Sequence, residues 1–170
     1  MNRIVYMVLR HLPIVPYWFW KIDHMGKRPD QYPEQERYDY LRNIIKTINQ
    51  NGRVTVRGYG EEQLPKENGF ILFPNHQGFF DMLAIIDTCP KPLGVIIKKE
   101  AANWILVKQV LRLLGGIPMD RSDIRAAMEV IKEMTRQVKE GKNYVIFPEG
   151  TRSRKGNELL EFKAGTFKSA

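Results

Sequence analysis

The chain has a single cysteine, Cys89, among its 170 residues. One thiol excludes an intrachain disulfide, and no group of cysteines and histidines has the spacing of a zinc site. The sequence therefore predicts a protein of a reducing, cytosolic setting without a bound metal, in which Cys89 is buried rather than reactive. Because 43% of the residues are hydrophobic, the chain can bury a sizeable core and is expected to form one globular unit.

Acidic residues are in the minority. The chain has 27 lysines and arginines against 19 aspartates and glutamates, which leaves a net charge of +8. Such an excess indicates an anionic partner, which could be a phospholipid surface, a phosphorylated substrate or nucleic acid. The aromatic residues cluster near the N-terminus instead of alternating with basic residues, so we do not expect a nucleic-acid binder.

Long apolar runs are also missing, even from the hydrophobic N-terminal twenty residues. The first twelve have an apolar side and a basic side, as in an amphipathic helix, but Arg10, Pro13 and Pro16 interrupt the run. A membrane-spanning helix needs about 20 predominantly apolar residues. We therefore expect residues 1–33 to be a membrane-associating segment and linker that lies in the bilayer plane, with the aromatics of Tyr17–Trp20 at the interface. The alternative is an amphipathic helix packed on the protein's own core.

From residue 34 to residue 170 the hydrophobic pattern alternates between strand and helix. This alternation predicts an α/β domain with a mostly parallel or mixed sheet flanked by helices. Helical spacing is found at Tyr38–Ile48, Met82–Ile86, Trp104–Leu114 and Ile124–Val138, where Ile124, Ala127, Ile131, Met134 and Val138 form the expected buried stripe. Strand patterns are found at Arg53–Arg57, Phe70–Phe73, Leu93–Ile97, Ile117–Met119 and Tyr144–Phe147.

The first strand-to-helix turn carries a histidine and an aspartate five positions apart, in the stretch Asn75–Asp81. On such a turn the imidazole of His76 can point into a cleft while Asp81 accepts a hydrogen bond from one ring nitrogen. The other ring nitrogen is then available as a general base for a hydroxyl group. The alternative is a helix-capping Asp81 beside a structural histidine.

A second turn, Phe147–Ser153, places a carboxylate, a glycine, a hydroxyl and a guanidinium together. Glycine allows close backbone approach, and arginine offers a planar fork that matches phosphate oxygens, so this turn has the chemistry of a phosphate pocket. Arg121 stands at the end of another short strand. Alone, it is better explained by a salt bridge with Asp120 or Asp123 than by phosphate binding.

Taken together, these stretches resemble the glycerophospholipid acyltransferases, the family that includes 1-acylglycerol-3-phosphate acyltransferase. The resemblance covers roughly residues 50 to 170 and is carried by Asn75-His76-x4-Asp81, Gly116-Ile117-Pro118-Met119-Asp120-Arg121, Phe147-Pro148-Glu149-Gly150-Thr151-Arg152 and Phe162-Lys163-Ala164-Gly165. The family's chemistry implies that His76 is the general base and that Asp81 orients it. It also implies that the acceptor is held by Asn75, Arg121, Glu149, Gly150, Thr151 and Arg152.

The resemblance further implies the substrates and the location. The acceptor would be a lysophospholipid, and the donor would be an acyl thioester of coenzyme A or acyl carrier protein, with no bound cofactor. The protein would act at the cytoplasmic face of the cell membrane, on an anionic phospholipid surface.

The chain departs from the family pattern at two places. Gly78 stands where the family often has serine. The family's fourth motif, a valine- and proline-rich strand, has no counterpart in these 170 residues, so we expect the domain to be C-terminally incomplete. A non-catalytic, phospholipid-binding module at the membrane surface is therefore the alternative function.

Overall fold

The computed structural model describes residues 10–154 and 158–169, which form a parallel sheet flanked by helices. The four strands of the sheet are β1 (Ile71–Leu72), β2 (Gly94–Lys98), β3 (Ile117–Met119) and β4 (Tyr144–Val145). They lie in the order β1-β4-β2-β3, and every pairing is parallel. The predicted α/β class is confirmed, and among the described strands the sheet is parallel rather than mixed.

Five helices accompany this sheet. They are α1 (Val15–Gly26), α2 (Glu34–Asn51), α3 (Phe80–Thr88), α4 (Val107–Leu113) and α5 (Ile124–Lys139). Short 3₁₀ turns cover Glu61–Gln63, Ala101–Asn103 and Ala164–Ser169. The start of α5 is fixed by Asp123, whose carboxylate accepts hydrogen bonds from the backbone N–H groups of Arg125 and Ala126.

Different helices pack on the two faces of the sheet. Successive strand residues point to opposite faces. Val95 in β2 joins a core formed with α1, α2, α3 and α4, whereas its neighbour Ile96 joins a second core with Met134 of α5. Within the part of the chain that the structure describes, four helices therefore cover one face, and α5 is the helix on the other.

Helix α1 has a buried half and an exposed half. Its C-terminal half is part of the core, where Ile22 and Met25 are buried and the backbone of Gly26 lies against that of Leu113 in α4. Its N-terminal half exposes aromatic residues, with Trp20 57% exposed. Among the described residues no helix has both the length and the apolar character to cross a bilayer. Most of the predicted amphipathic helix before Pro13 lies outside the described residues.

Three local expectations from the sequence were wrong. The segment 53–57 is not a strand, because Arg53 adopts a positive φ of 53° and the N–H of Val54 bonds back to the end of α2, which leads the chain away from the sheet. The prolines do interrupt the helical segment, since residues 12–14 form a turn before α1 begins at Val15. Pro16 does not interrupt α1 itself. It lies in the first turn of α1, where a missing N–H costs no helical hydrogen bond.

The other two wrong expectations concern the ends of helices. The helix expected from Trp104 begins at Val107, because Leu106 adopts a φ of +72°, which is incompatible with a right-handed helix. Ile124 is not in the buried stripe of α5. As the first residue of that helix it extends past the core and is 77% exposed.

Candidate active site

The predicted site residues meet at the carboxyl edge of the sheet, where parallel sheets commonly bind ligands. His76 follows β1, Arg121 follows β3 and Glu149 follows β4. Because β1 and β4 are adjacent, the loop with His76 and the loop with Glu149 are in direct contact. The parallel topology therefore assembles residues that are far apart in the chain.

His76 and Asp81 form a hydrogen-bonded pair. The imidazole Nδ1 lies 2.8 Å from Asp81 Oδ2. The same oxygen accepts the backbone N–H groups of Gln77 at 2.7 Å and Gly78 at 3.0 Å, so three donors converge on it. Because a carboxylate only accepts, the Nδ1 atom carries the hydrogen, and Nε2 is left as the basic nitrogen.

The charge of Asp81 is stabilised by these donors. Burial acts to raise the pKa of this carboxyl, but the Gly78 amide, the His76 imidazole and the Gln77 amide together hold it below its usual range. Asp81 thus also organises the turn before α3, although the N-cap of that helix is Phe79 and not Asp81. The same oxygen, Oδ2, also binds the imidazole of His76, so one oxygen both holds the turn and orients the ring.

Two further contacts hold His76 in place. Its ring stacks on Phe147 with a centroid separation of 4.0 Å. Its backbone carbonyl accepts the N–H of Ser153 at 2.7 Å. These contacts come from residues after β4, so the position of the imidazole depends on the second motif as well as on its own turn.

Glu149 is a supporting residue in this arrangement. It is only 2% exposed, and its Oε1 accepts the backbone N–H of His76 at 2.7 Å. Its Oε2 accepts the backbone N–H of Leu160 at 3.2 Å. Both carboxylate oxygens therefore bind backbone amides, and Glu149 supports the turn that carries His76.

Arg121 connects the second and third predicted motifs. Its Nη1 donates a hydrogen bond to the backbone carbonyl of Gly150, which itself adopts a φ of +68° suited to glycine. The salt bridges that the sequence suggested for Arg121 are replaced by other contacts. Asp123 caps α5, and Asp120 binds Ser122 and Lys99.

The carboxylate of Asp120 holds the turn between β3 and α5. Its Oδ1 accepts the hydroxyl of Ser122 at 2.6 Å and the backbone N–H of Ser122 at 3.0 Å, and its Oδ2 lies 3.4 Å from Lys99 Nζ. The Ser122 hydroxyl and amide, assisted by Lys99, lower the pKa of Asp120 to about 2. Lys99 therefore stands beside Arg121 at this edge.

Arg152 lies over an aromatic ring at the mouth of the site. Its guanidinium carbon is 4.1 Å from the centroid of the Phe79 ring. A guanidinium stacked in this way keeps its N–H groups in the plane, where they can bind phosphate oxygens. Asn75 and Thr151 are both exposed nearby, on the same two loops.

A trough of about 1010 Å³ opens on the sheet face that α5 covers. Its wall is largely apolar, and it reaches Phe147 and Gly150, which belong to the catalytic loops. Several basic side chains also border the trough. They are Arg121, Lys132, Arg136, Lys139, Lys163 and Lys168.

Sequence reasoning missed several of these contacts. Phe147 and Phe79 stand next to predicted site residues in the sequence, and their position beside the motifs was a usable signal. The roles of Ser153 and Leu160 could not be read from the sequence, because they act through backbone N–H groups. Within residues 10–154 and 158–169 no group of three potential metal ligands occurs.

The fold and this site define an acyltransferase-like protein. The family model described as Acyltransferase matches residues 53–170, which is more than half of the chain. The chain therefore belongs to the acyltransferase family, as its motifs predicted.

Relatives with similar sequences are named 1-acyl-sn-glycerol-3-phosphate acyltransferase. The protein from Borreliella burgdorferi is 34% identical over 111 residues, covering 65% of this chain and 44% of the relative. The protein from Bacillus subtilis is 29% identical over 117 residues, covering 68% and 57%. The chain thus spans about half the length of these relatives.

A solved structure has the same fold. The crystal structure of the 1-acyl-sn-glycerophosphate acyltransferase PlsC from Thermotoga maritima matches with a TM-score of 0.72 and 25% sequence identity. The match covers 99% of this chain and 70% of the Thermotoga chain.

Proposed function

We propose that this chain transfers a fatty acyl group from a thioester to the free hydroxyl of a lysophospholipid, with 1-acylglycerol-3-phosphate as the acceptor. The observation that carries the proposal is the 2.8 Å contact between His76 Nδ1 and Asp81 Oδ2, which leaves Nε2 as the base. The names of the relatives support the choice of acceptor. The donor is the acyl thioester of coenzyme A or acyl carrier protein.

The reaction needs one proton transfer and one substitution. His76 Nε2 takes the proton of the acceptor hydroxyl as its oxygen attacks the thioester carbon. The carbon–sulfur bond breaks, and the thiolate leaves and regains a proton from the imidazolium. Asp81 stabilises that imidazolium by accepting its Nδ1–H. Because the hydroxyl attacks the thioester directly, no covalent acyl-enzyme is needed.

Arg121 and Arg152 are proposed to hold the acceptor phosphate. Both are guanidinium groups beside the catalytic loops, and the chain's net charge of +8 favours an anionic ligand. A fixed phosphate places the hydroxyl next to His76, which makes the attack effectively intramolecular. The apolar trough beside Phe147 has the size and chemistry for the acyl chain.

The proposed location is the cytoplasmic face of the cell membrane. A lysophospholipid acceptor lies in a bilayer, and α1 exposes Tyr17 and Trp20, residues suited to the bilayer interface. The domain would bind this surface peripherally, through the N-terminal segment.

The test is thiol release by the 170-residue chain with lysophosphatidic acid vesicles and long-chain acyl-coenzyme A. We expect release that depends on the acceptor and falls about 10²–10⁴-fold in His76→Ala, the usual contribution of a general base. A comparison of the rates with acyl-coenzyme A and with an acylated acyl carrier protein identifies the donor. Vesicle binding without turnover from either donor would instead favour the non-catalytic module.

A further inference from the structure

Three consecutive apolar side chains, Trp104, Ile105 and Leu106, stand exposed between β2 and α4. We call them the apolar rim. Their exposed fractions are 53%, 83% and 49%. Leu106 also adopts φ +72° and ψ −47°, a conformation that costs an L-residue roughly 1–2 kcal/mol. Exposed apolar surface on a strained backbone indicates a surface that binds something.

The apolar rim is next to the mouth of the candidate site. The ring of Trp104 lies 6.4 Å from that of Phe79, measured between centroids, and Phe79 is itself 69% exposed. Phe79 is three residues after His76 and carries Arg152 over its ring. The apolar surface therefore continues from the rim to the position where the acceptor must enter.

The charges around the rim favour an anionic surface. Residues 101–119 contain two basic residues and no acidic residue. Arg112 pairs with Asp23 of α1 at 3.1 Å, and Lys108 is exposed. Lys108 is one helical turn beyond Trp104, whose carbonyl accepts its N–H at 3.0 Å. A tryptophan and a lysine that flank exposed aliphatic side chains are the combination found at the bilayer interface.

We propose that the apolar rim is a second membrane contact, which inserts into the interface of an anionic bilayer and places the mouth of the site on the lipid surface. This proposal rests on the proposed function, since it is the lysophospholipid that must pass from the bilayer to His76. It differs from the N-terminal contact in its position. The rim would align the site with the membrane, whereas α1 would hold the domain there.

Vesicle binding tests the contact independently of catalysis. The variant Ile105→Ser with Leu106→Asn removes two exposed aliphatic side chains, and asparagine tolerates positive φ. We expect its partitioning onto vesicles of phosphatidylcholine and phosphatidylglycerol to fall at least about tenfold. The matched control is Tyr59→Ser, which removes an 86% exposed apolar residue elsewhere. Equal partitioning of the rim variant and wild type would overturn the proposal.

A fluorescent label locates the rim in the bilayer. Cys89 is buried, and burial raises the pKa of its thiol, so a cysteine introduced at the surface is labelled selectively. We expect a nitrobenzoxadiazole label on Ile105→Cys to shift to the blue on vesicles and to be quenched by spin-labelled lipids. The same label on Tyr59→Cys is expected to do neither. A label at position 105 that stays in water overturns the proposal.

Turnover separates this inference from the proposed function. With a short-chain lysophosphatidic acid dissolved as monomers, the rim variant is expected to match wild type, and with the vesicle-bound acceptor it is expected to be slower. An equal loss on both acceptors would contradict a membrane role. Loss confined to acyl carrier protein donors would identify the rim as a protein-binding surface and would also overturn the proposal. If wild type has no activity, the binding and labelling results still decide.

Discussion

The buried carboxylate of Glu149 accepts the backbone N–H of His76 at 2.7 Å, although the two residues are 73 positions apart in the chain. Since Oε2 of the same carboxylate accepts the N–H of Leu160, Glu149 joins the loop after β1 to the segment after β4. The position of the proposed general base therefore depends on a side chain whose two carboxylate oxygens both bind backbone amides. Glu149 is a positioning residue in this arrangement.

The first prediction concerns Glu149→Gln. Glutamine offers one acceptor and one N–H₂ donor, so a donor would face a backbone N–H in a buried place, at a cost of about 1–3 kcal/mol. We expect kcat to fall about tenfold or more and Tm to decrease, while the KM for the acceptor stays unchanged. The matched control is Glu158→Gln, at an exposed glutamate nearby. A raised acceptor KM with unchanged kcat would mean that Glu149 binds the acceptor, as the family resemblance implied.

The second prediction concerns pH and Asp81. Its pKa is lowered in the folded state, so its charge stabilises the fold at pH values above the pKa of an unfolded aspartate, about 3.9. That stabilisation is lost as pH falls through the lower, folded pKa. We expect the free energy of unfolding of Asp81→Asn to be lower than that of wild type at neutral pH and down to about pH 5. The difference should shrink below about pH 4.

Urea unfolding at neutral and acidic pH provides this measurement. Asp30→Asn is the control, because it removes the same charge at an exposed position outside the Asn75–Asp81 turn. A gap for Asp81→Asn that persists unchanged at the lowest pH would contradict the role of the three donors. Such a result would assign the stabilising contribution to something other than the charge.

How much of this could be read from the sequence depends on the distance between the interacting residues. His76 and Asp81 are five positions apart, so one turn decides their contact, and the pair was predicted correctly as neighbours. The contact between Glu149 and His76 needs the order of the strands, which parallel pairing does not reveal locally. For that reason the contact of Glu149 with the turn of His76 could not be predicted from the sequence.

The fold, too, could be predicted where a local pattern decides it and not where distant contacts do. Short apolar runs were recognised as strands because both faces of a parallel sheet are buried. Residues 53–57 alternate in the same way as a half-buried strand, but the turn at Arg53 directs them past the sheet, and a single positive φ has no signature at an arginine. The end of α4 could be predicted from Gly115. Its start could not, because it depends on the positive φ of Leu106, which the apolar pattern does not indicate.

The third prediction concerns Arg152. If its guanidinium binds the acceptor phosphate, Arg152→Ala loses a charged hydrogen bond of about 1.5–3 kcal/mol, which is roughly a 10–150-fold rise in acceptor KM. We expect kcat to change much less. The control is Arg154→Ala, an exposed arginine two residues further on that removes the same charge. If both variants raise the acceptor KM equally, the rise comes from the lost positive charge in general and not from a contact of Arg152. If neither variant raises it, Arg152 is not a phosphate ligand.

The fourth prediction concerns the trough beside α5. Met128 borders it and is 48% exposed, so Met128→Trp can fill part of the trough without a change in the buried core. If the trough holds the acyl chain, the added ring shortens the space, and kcat/KM should fall at least about tenfold for a long-chain donor. It should change little for a short-chain donor. Tryptophan at the exposed Arg125, which does not border the trough, controls for the added bulk on the same helix. An equal loss for both chain lengths would mean that the acyl chain lies elsewhere, because only an occupied trough makes the effect depend on chain length.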